Sequence, residues 1–123
     1  MRNNHEWKRL FAERLLNFSV RIILLVSKLP KTPAGFAIAN QLVKSGTSIG
    51  ANFMEAQDAS SLKDFIQKLS ISLREARETD YWLKVIERAG LLGSKDIEGE
   101  LEECNEIIAI LAKSIKSSKS KVL

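Results

Sequence analysis

Apolar residues recur at steps of three and four along most of the chain. Trp7, Phe11, Leu15, Phe18, Ile22, Leu25 and Leu29 keep that spacing for about six turns, which predicts an amphipathic helix from about Glu6 to Leu29. Arg9, Arg14, Arg21 and Lys28 fall on its polar side. Val20, Ile23, Leu24 and Val26 add apolar surface away from the main stripe, so this end is expected to be covered from more than one side. Pro30 closes the helix by keeping its predecessor out of helical geometry. Thr32-Pro33 reads as an N-cap followed by proline at the first helical position. The second helix is then expected over residues 33–58. Ser61, with Asp64 three residues on, or Ser60 as cap, opens a third helix over about 61–89. Its stripe is Phe65, Leu69, Ala76, Leu83 and Ile86, broadened by Leu62, Ile66 and Leu73. Gly90 supplies a left-handed stop, and Leu91 and Leu92 are expected to tuck back onto the core. Ser94 is expected to cap a fourth helix over about 95–116, with Ile97, Leu101, Cys104, Ile108, Leu111 and Ile115 as its stripe. Residues 117–123 read as a frayed basic tail. Four helices with short connections predict an all-α, antiparallel up-down-up-down four-helix bundle, one domain spanning residues 1–123.

The second helix departs from the others. Between Ala34 and Ala59 it is crowded with Ala, Gly, Ser and Thr. Gly46 and Gly50 would each cost an isolated helix about 1 kcal/mol against alanine. Such a helix must be held by packing, and small side chains allow a close approach of neighbouring backbones. Ile38, Leu42, Ile49 and Phe53 form its stripe, widened by Phe36, Val43 and Met54. With so few charges it is expected at the centre of the bundle, and at a subunit interface as well. Ser45, Ser48, Asn52 and Glu55 stand out on it. They are read as a hydrogen-bonded structural network that fixes register, in preference to a reactive site.

Composition narrows the function. The chain has 123 residues, 45% hydrophobic and 28% charged, ordinary for a globular domain. The net charge is +4 and the isoelectric point near 9.3, milder than in a dedicated nucleic-acid binder. The excess is local: seven basic and two acidic residues lie between Met1 and Lys31, and more lysines follow from Lys113. Arg2, Lys8, Arg9, Arg14, Arg21, Lys116 and Lys119 are the candidate face for phosphate backbones. The opening residues lack a signal-peptide core and no apolar run could span a bilayer. A cytoplasmic protein without a membrane role is expected. Cys104 is the only cysteine and His5 the only histidine. Neither a disulfide framework nor a metal site is expected, and no cofactor is implied. In REARETDYW, Arg74–Glu78 and Arg77 with Asp80 or Tyr81 are helix neighbours expected to pair. Glu75 and Glu78 do not amount to an acid/base site, because no nucleophile, metal ligand or phosphate loop accompanies them. Tyr81 and Trp82 read as packing groups with wet polar ends.

The block QLVKSGTSIGANFMEA, from Gln41 to Ala56, resembles the four-helix-bundle family of 23S ribosomal RNA intervening-sequence proteins. The likeness includes the turn at Leu29-Pro30, the pattern QL-x-[KR]-S-x-x-S-I-x-x-N over residues 41–52, and LREARETDYWL from Leu73 to Leu83. It departs at Ala56, where the family usually has glycine. The resemblance implies a four-helix bundle assembled as a ring-shaped pentamer, related to the nucleic-acid-binding accessory protein of diversity-generating retroelements. It brings no catalytic residue. The expectation is therefore a non-enzymatic homo-oligomer associated with RNA or DNA through a basic face. The alternative is a scaffold that recruits another protein and has no nucleic-acid role.

Overall fold

A computed structural model describes residues 4–122. Four helices follow one another, α1 (Asn4–Val26), α2 (Pro33–Gln57), α3 (Leu62–Arg88) and α4 (Ser94–Lys119), with no strand among the described residues. Each packs antiparallel on the next. Broad contacts join α1 to α2, α2 to α3 and α3 to α4, while α4 meets α1 along a narrow seam.

Local signals placed most of the ends. The Thr32 hydroxyl accepts from the Gly35 amide at 3.1 Å, and the Ser61 hydroxyl accepts from the Asp64 amide at 3.0 Å. Each satisfies one orphan donor of a first turn. Gly90 has a φ of +67°, and the Leu91 amide reaches back to the Ile86 carbonyl at 3.1 Å, carrying Leu91 and Leu92 against the core. Other ends differ from expectation, α1 already beginning at Asn4 rather than Glu6. Helix α1 stops at Val26, not Leu29. There the Ser27 hydroxyl bonds the Leu24 carbonyl and tight turns tuck Leu29 into the core. Helix α4 begins at Ser94, so its cap is Gly93, which offers no side-chain bond. It also runs through Lys119, so the first three residues of the expected tail are helical.

The core is one cluster to which every helix contributes, centred on Leu15, Phe18, Ile22, Leu42, Ile49, Phe53, Leu69, Leu83, Ile97, Ile107 and Leu111. Ile107 takes the buried place expected for Ile108, which is half-buried. Ala56, where the family pattern has glycine, is buried with room for its methyl group. Helix α2 packs on α1 and α3, but it is not covered all round as its composition suggests: Phe36 and Met54 on its outer face are exposed. A Cβ at Gly46 would lie 3.0 Å from Ile22 and one at Gly50 3.3 Å from Leu15, so both glycines let α1 come close. The neighbouring positions Ser45 and Ile49 meet α3 instead.

Candidate nucleic-acid interface

Arg14, Arg21 and Lys28 are spaced by seven, which places them on one side of α1 every two turns. That side faces α4. Arg14 donates to both carboxylate oxygens of Glu103, at 2.7 and 2.8 Å, and to Glu106 at 2.9 Å. The fork geometry suits a guanidinium. It holds Glu103 below its ordinary range and raises Arg14 further above its own, the hydrogen bond being the main cause in each case. Arg21 Nε stands 2.5 Å from Glu100 Oε1, an ion contact without hydrogen-bond alignment, so that oxygen has no hydrogen-bond partner among the described residues. Lys28 reaches Asp96 at 3.1 Å. These four contacts form a ladder along the narrow α1–α4 seam.

The candidate basic residues therefore sort into two sets. Arg14 and Arg21 spend their charge on α4. Lys8, Arg9, Lys116 and Lys119 make no ion pair with a described residue, and Arg2 lies outside the described residues. Lys8 and the C-terminal lysines meet at one end of the bundle. There the first turn of α1, the end of α2, the start of α3 and the last turns of α4 surround an open cavity of about 720 Å³. Lys113 and Lys121 join Lys8 on its wall; Lys121 escapes a sequence reading that takes the tail as frayed, and Lys113 counts there only toward the basic excess. Their spacing from Ser117, four residues each way, was the available signal. Lys8 Nζ lies 4.8 Å above the ring of Phe65. Trp7 stacks on Phe11 with ring centres 5.5 Å apart.

The polar positions of α2 do not form one network. Ser45 is fully buried and shares a 2.9 Å hydrogen bond with the Thr79 hydroxyl, which also reaches the Glu75 carbonyl at 2.8 Å. Ser72 donates to the Ile49 carbonyl at 2.8 Å. These links cross from α3 to α2. Ser48 and Asn52 instead bond carbonyls of their own helix, Lys44 and Ser48, and Glu55 is an exposed residue paired with Lys68 at 3.6 Å. Ser72 and Thr79 were legible in principle: with Leu69, Ala76, Leu83 and Ile86 they fill a heptad pattern on α3.

Also on α3, the largely buried Asp80 pairs with Lys84 at 2.8 Å, not with Arg77. Glu78 accepts from the Trp82 indole at 3.2 Å, not from Arg74. Tyr81 is exposed and edges onto Trp82. Cys104 is buried, 3.3 Å from the Ala76 carbonyl. Burial, aided by the charge of Asp80, pushes its thiol up to about 12. Among the described residues no group of His, Cys, Asp and Glu is placed to hold a metal ion, and no helix is long and apolar enough to cross a membrane.

A second feature runs along the outside of α1 and α2. Leu16, Val20, Ile23 and Leu24 form a helical stripe that is 49–60% exposed. Beside it lies a groove of about 1140 Å³ between α1 and α2, apolar at Ala12, Leu16, Ala51 and Met54 and charged toward the start of α1, where Lys8, Arg9 and Glu13 line it.

A crystal structure described as a protein with unknown function from the S23 ribosomal protein family of Bacteroides thetaiotaomicron VPI-5482 shares the fold. Its TM-score is 0.80 and its identity 40%, over 85% of this chain and 97% of the other. No match is found among curated proteins. The family described as 23S rRNA-intervening sequence protein matches residues 10–113. That span takes in the Gly46–Gly50 approach, the α2–α3 hydroxyl links and the α1–α4 ion ladder. The chain belongs to the 23S rRNA-intervening sequence protein family.

Proposed function

We propose that this protein is a non-catalytic, self-associating bundle that binds RNA through the free cations at its open end. The sorting of charge carries the reading. Carboxylates of α4 answer Arg14, Arg21 and Lys28, whereas Lys8, Arg9, Lys113, Lys116, Lys119 and Lys121 have none among the described residues. Cations without local partners are the ones available to phosphates. The family's association with ribosomal RNA inserts favours RNA among nucleic acids. The exposed stripe from Leu16 to Leu24 and the adjoining groove favour a second copy as the partner of the α1–α2 face. A pentameric ring is the assembly that the family resemblance implies. Association would multiply the basic ends and strengthen each weak field.

Fluorescence anisotropy against structured RNA and duplex DNA tests the binding. Affinity should fall steeply between about 50 and 200 mM salt. Charge reversal at Arg9, Lys116 and Lys119 should remove most of it, leaving the fold intact because these side chains are exposed. Unchanged binding would place the contact elsewhere. Absence of binding at low salt, with a discrete oligomer retained, would favour a protein-recruiting scaffold, for which the apolar α1–α2 face is the supporting feature. Val20→Glu should reduce the mass in light scattering to that of a single chain; a monomeric wild type would end the assembly reading.

A further inference from the structure

The cavity at the open end has a chemistry more specific than a basic surface. Its described lining contains three lysines, Lys8, Lys113 and Lys121, and no carboxylate. Its volume of about 720 Å³ falls within the ~300–1,000 Å³ range of small-molecule sites. Trp7 and Phe65 contribute aromatic rings to the wall, and Ser61 and Ser117 contribute hydroxyls.

The ion ladder explains why this end is open. Going back seven residues from Arg14 reaches Trp7, not another cation. On α4 the acids end at Glu106, and Ile110, Lys113 and Ser117 follow on the side facing the cavity. Lys8 therefore lines the same opening as Lys113 and Lys121, and a cluster of like charges favours an anion between them. An apolar ligand would leave three ammonium groups without a counterion. A bare phosphate would leave the aromatic wall unfilled.

We propose that this cavity binds a nucleoside 5′-phosphate, with the phosphate among Lys8, Lys113 and Lys121 and the base against Trp7, while Lys8 rests over Phe65. Stacking on aromatic rings tolerates any base, so no strong base preference is expected. The ligand is either a free nucleotide or the 5′-phosphorylated end of a single RNA strand; the latter deepens the RNA reading above, while the former stands without it.

The test uses the full chain carrying Trp82→Phe, which leaves Trp7 as the only indole. Titration with adenosine 5′-monophosphate should quench Trp7 saturably. Lys113→Ser with Lys121→Ser should weaken this about tenfold or more, as expected for removing two phosphate contacts. Ribose 5-phosphate and inorganic phosphate should also bind about tenfold more weakly, since they cannot stack. No saturable quench, a quench indifferent to both lysines, or equal affinity for ribose 5-phosphate would each overturn the proposal. Short RNA with a 5′-phosphate binding more tightly than its 5′-hydroxyl counterpart assigns the strand end. Equal binding of the two, with the nucleotide quench intact, assigns the free nucleotide. If charge reversal at Arg9, Lys116 and Lys119 abolishes duplex binding but spares the quench, the pocket is separate from the basic surface. A quench without any RNA binding would sink the RNA reading and leave the pocket standing.

Discussion

Between α2 and α3 the contact is made by buried hydroxyl and apolar side chains. Ser45, Ile49, Ser72, Ala76 and Thr79 are buried there, and the polar ones are satisfied by short bonds across or along the seam. Between α1 and α4 it is made by long charged side chains, Arg14, Arg21 and Lys28 against Glu103, Glu106, Glu100 and Asp96. The first seam brings two backbones together and excludes water. The second holds them apart at the length of an arginine and leaves its ions partly wet. Buried apolar area and dry hydrogen bonds dominate stability, whereas partly exposed ion pairs contribute little. The α2–α3 seam is therefore the structural spine. The ionic seam sets alignment, and where it runs out the bundle opens.

Ile49→Ala strikes the spine hardest. The side chain is fully buried at the α2–α3 contact, and its truncation should cost about 2–5 kcal/mol, read from urea or thermal unfolding. Labelling of Cys104 by a thiol reagent should speed up in parallel, because the buried thiol, held protonated to about pH 12, reacts only when α3 and α4 separate. A loss below about 1 kcal/mol would mean that the seam re-collapses easily and is not the spine.

The hydroxyl link is the next largest effect. Thr79→Val keeps the shape but removes the bond shared with Ser45, leaving the Ser45 hydroxyl buried with a single 3.4 Å contact to the Leu42 carbonyl. A cost of about 1–3 kcal/mol is expected. Much of it should be recovered in the double variant with Ser45→Ala, because removing both partners leaves no orphan. Strict additivity would show that the bond is incidental to the packing.

The smallest effect belongs to the ionic seam. Glu103→Gln should cost no more than about 1 kcal/mol at neutral pH. Its pH dependence has a definite sign. The carboxyl is held below its ordinary 4.5 in the folded state, so the pair's stabilisation is present above that value and lost as pH falls through the lowered one. The gap between wild type and variant should thus close in acid and also in high salt. The more exposed Lys28–Asp96 pair should give less still. A larger loss here than at Thr79 would reverse the ranking of the two seams.

The sequence also bears unevenly on the contacts between helices. The glycines at 46 and 50 announced a close approach because nothing else makes weak helix formers worth keeping in a long helix. Position alone did not say that they face α1 while Ser45 and Ile49 face α3. Asn52 and Glu55 looked alike as polar residues on an apolar helix, yet one bonds its own backbone and the other lies in solvent. Arg14 and Arg21 looked like a nucleic-acid face because the cations on α1 and the acids of α4 that answer them lie far apart in the chain, 68 residues for Lys28 and Asp96 and 92 for Arg14 and Glu106. Only their meeting in space cancels the charge.

Periodicity, caps and proline placement are local properties, so the chain alone determined four helices, most of their ends and the family it belongs to. Which hydroxyl crosses a seam, which cation is left unpaired, and where aromatic rings and lysines close round a cavity depend on contacts between distant segments. Those were decided by tertiary packing, which sets helix rotation and antiparallel register, quantities that a repeating pattern of apolar residues leaves free to within a turn.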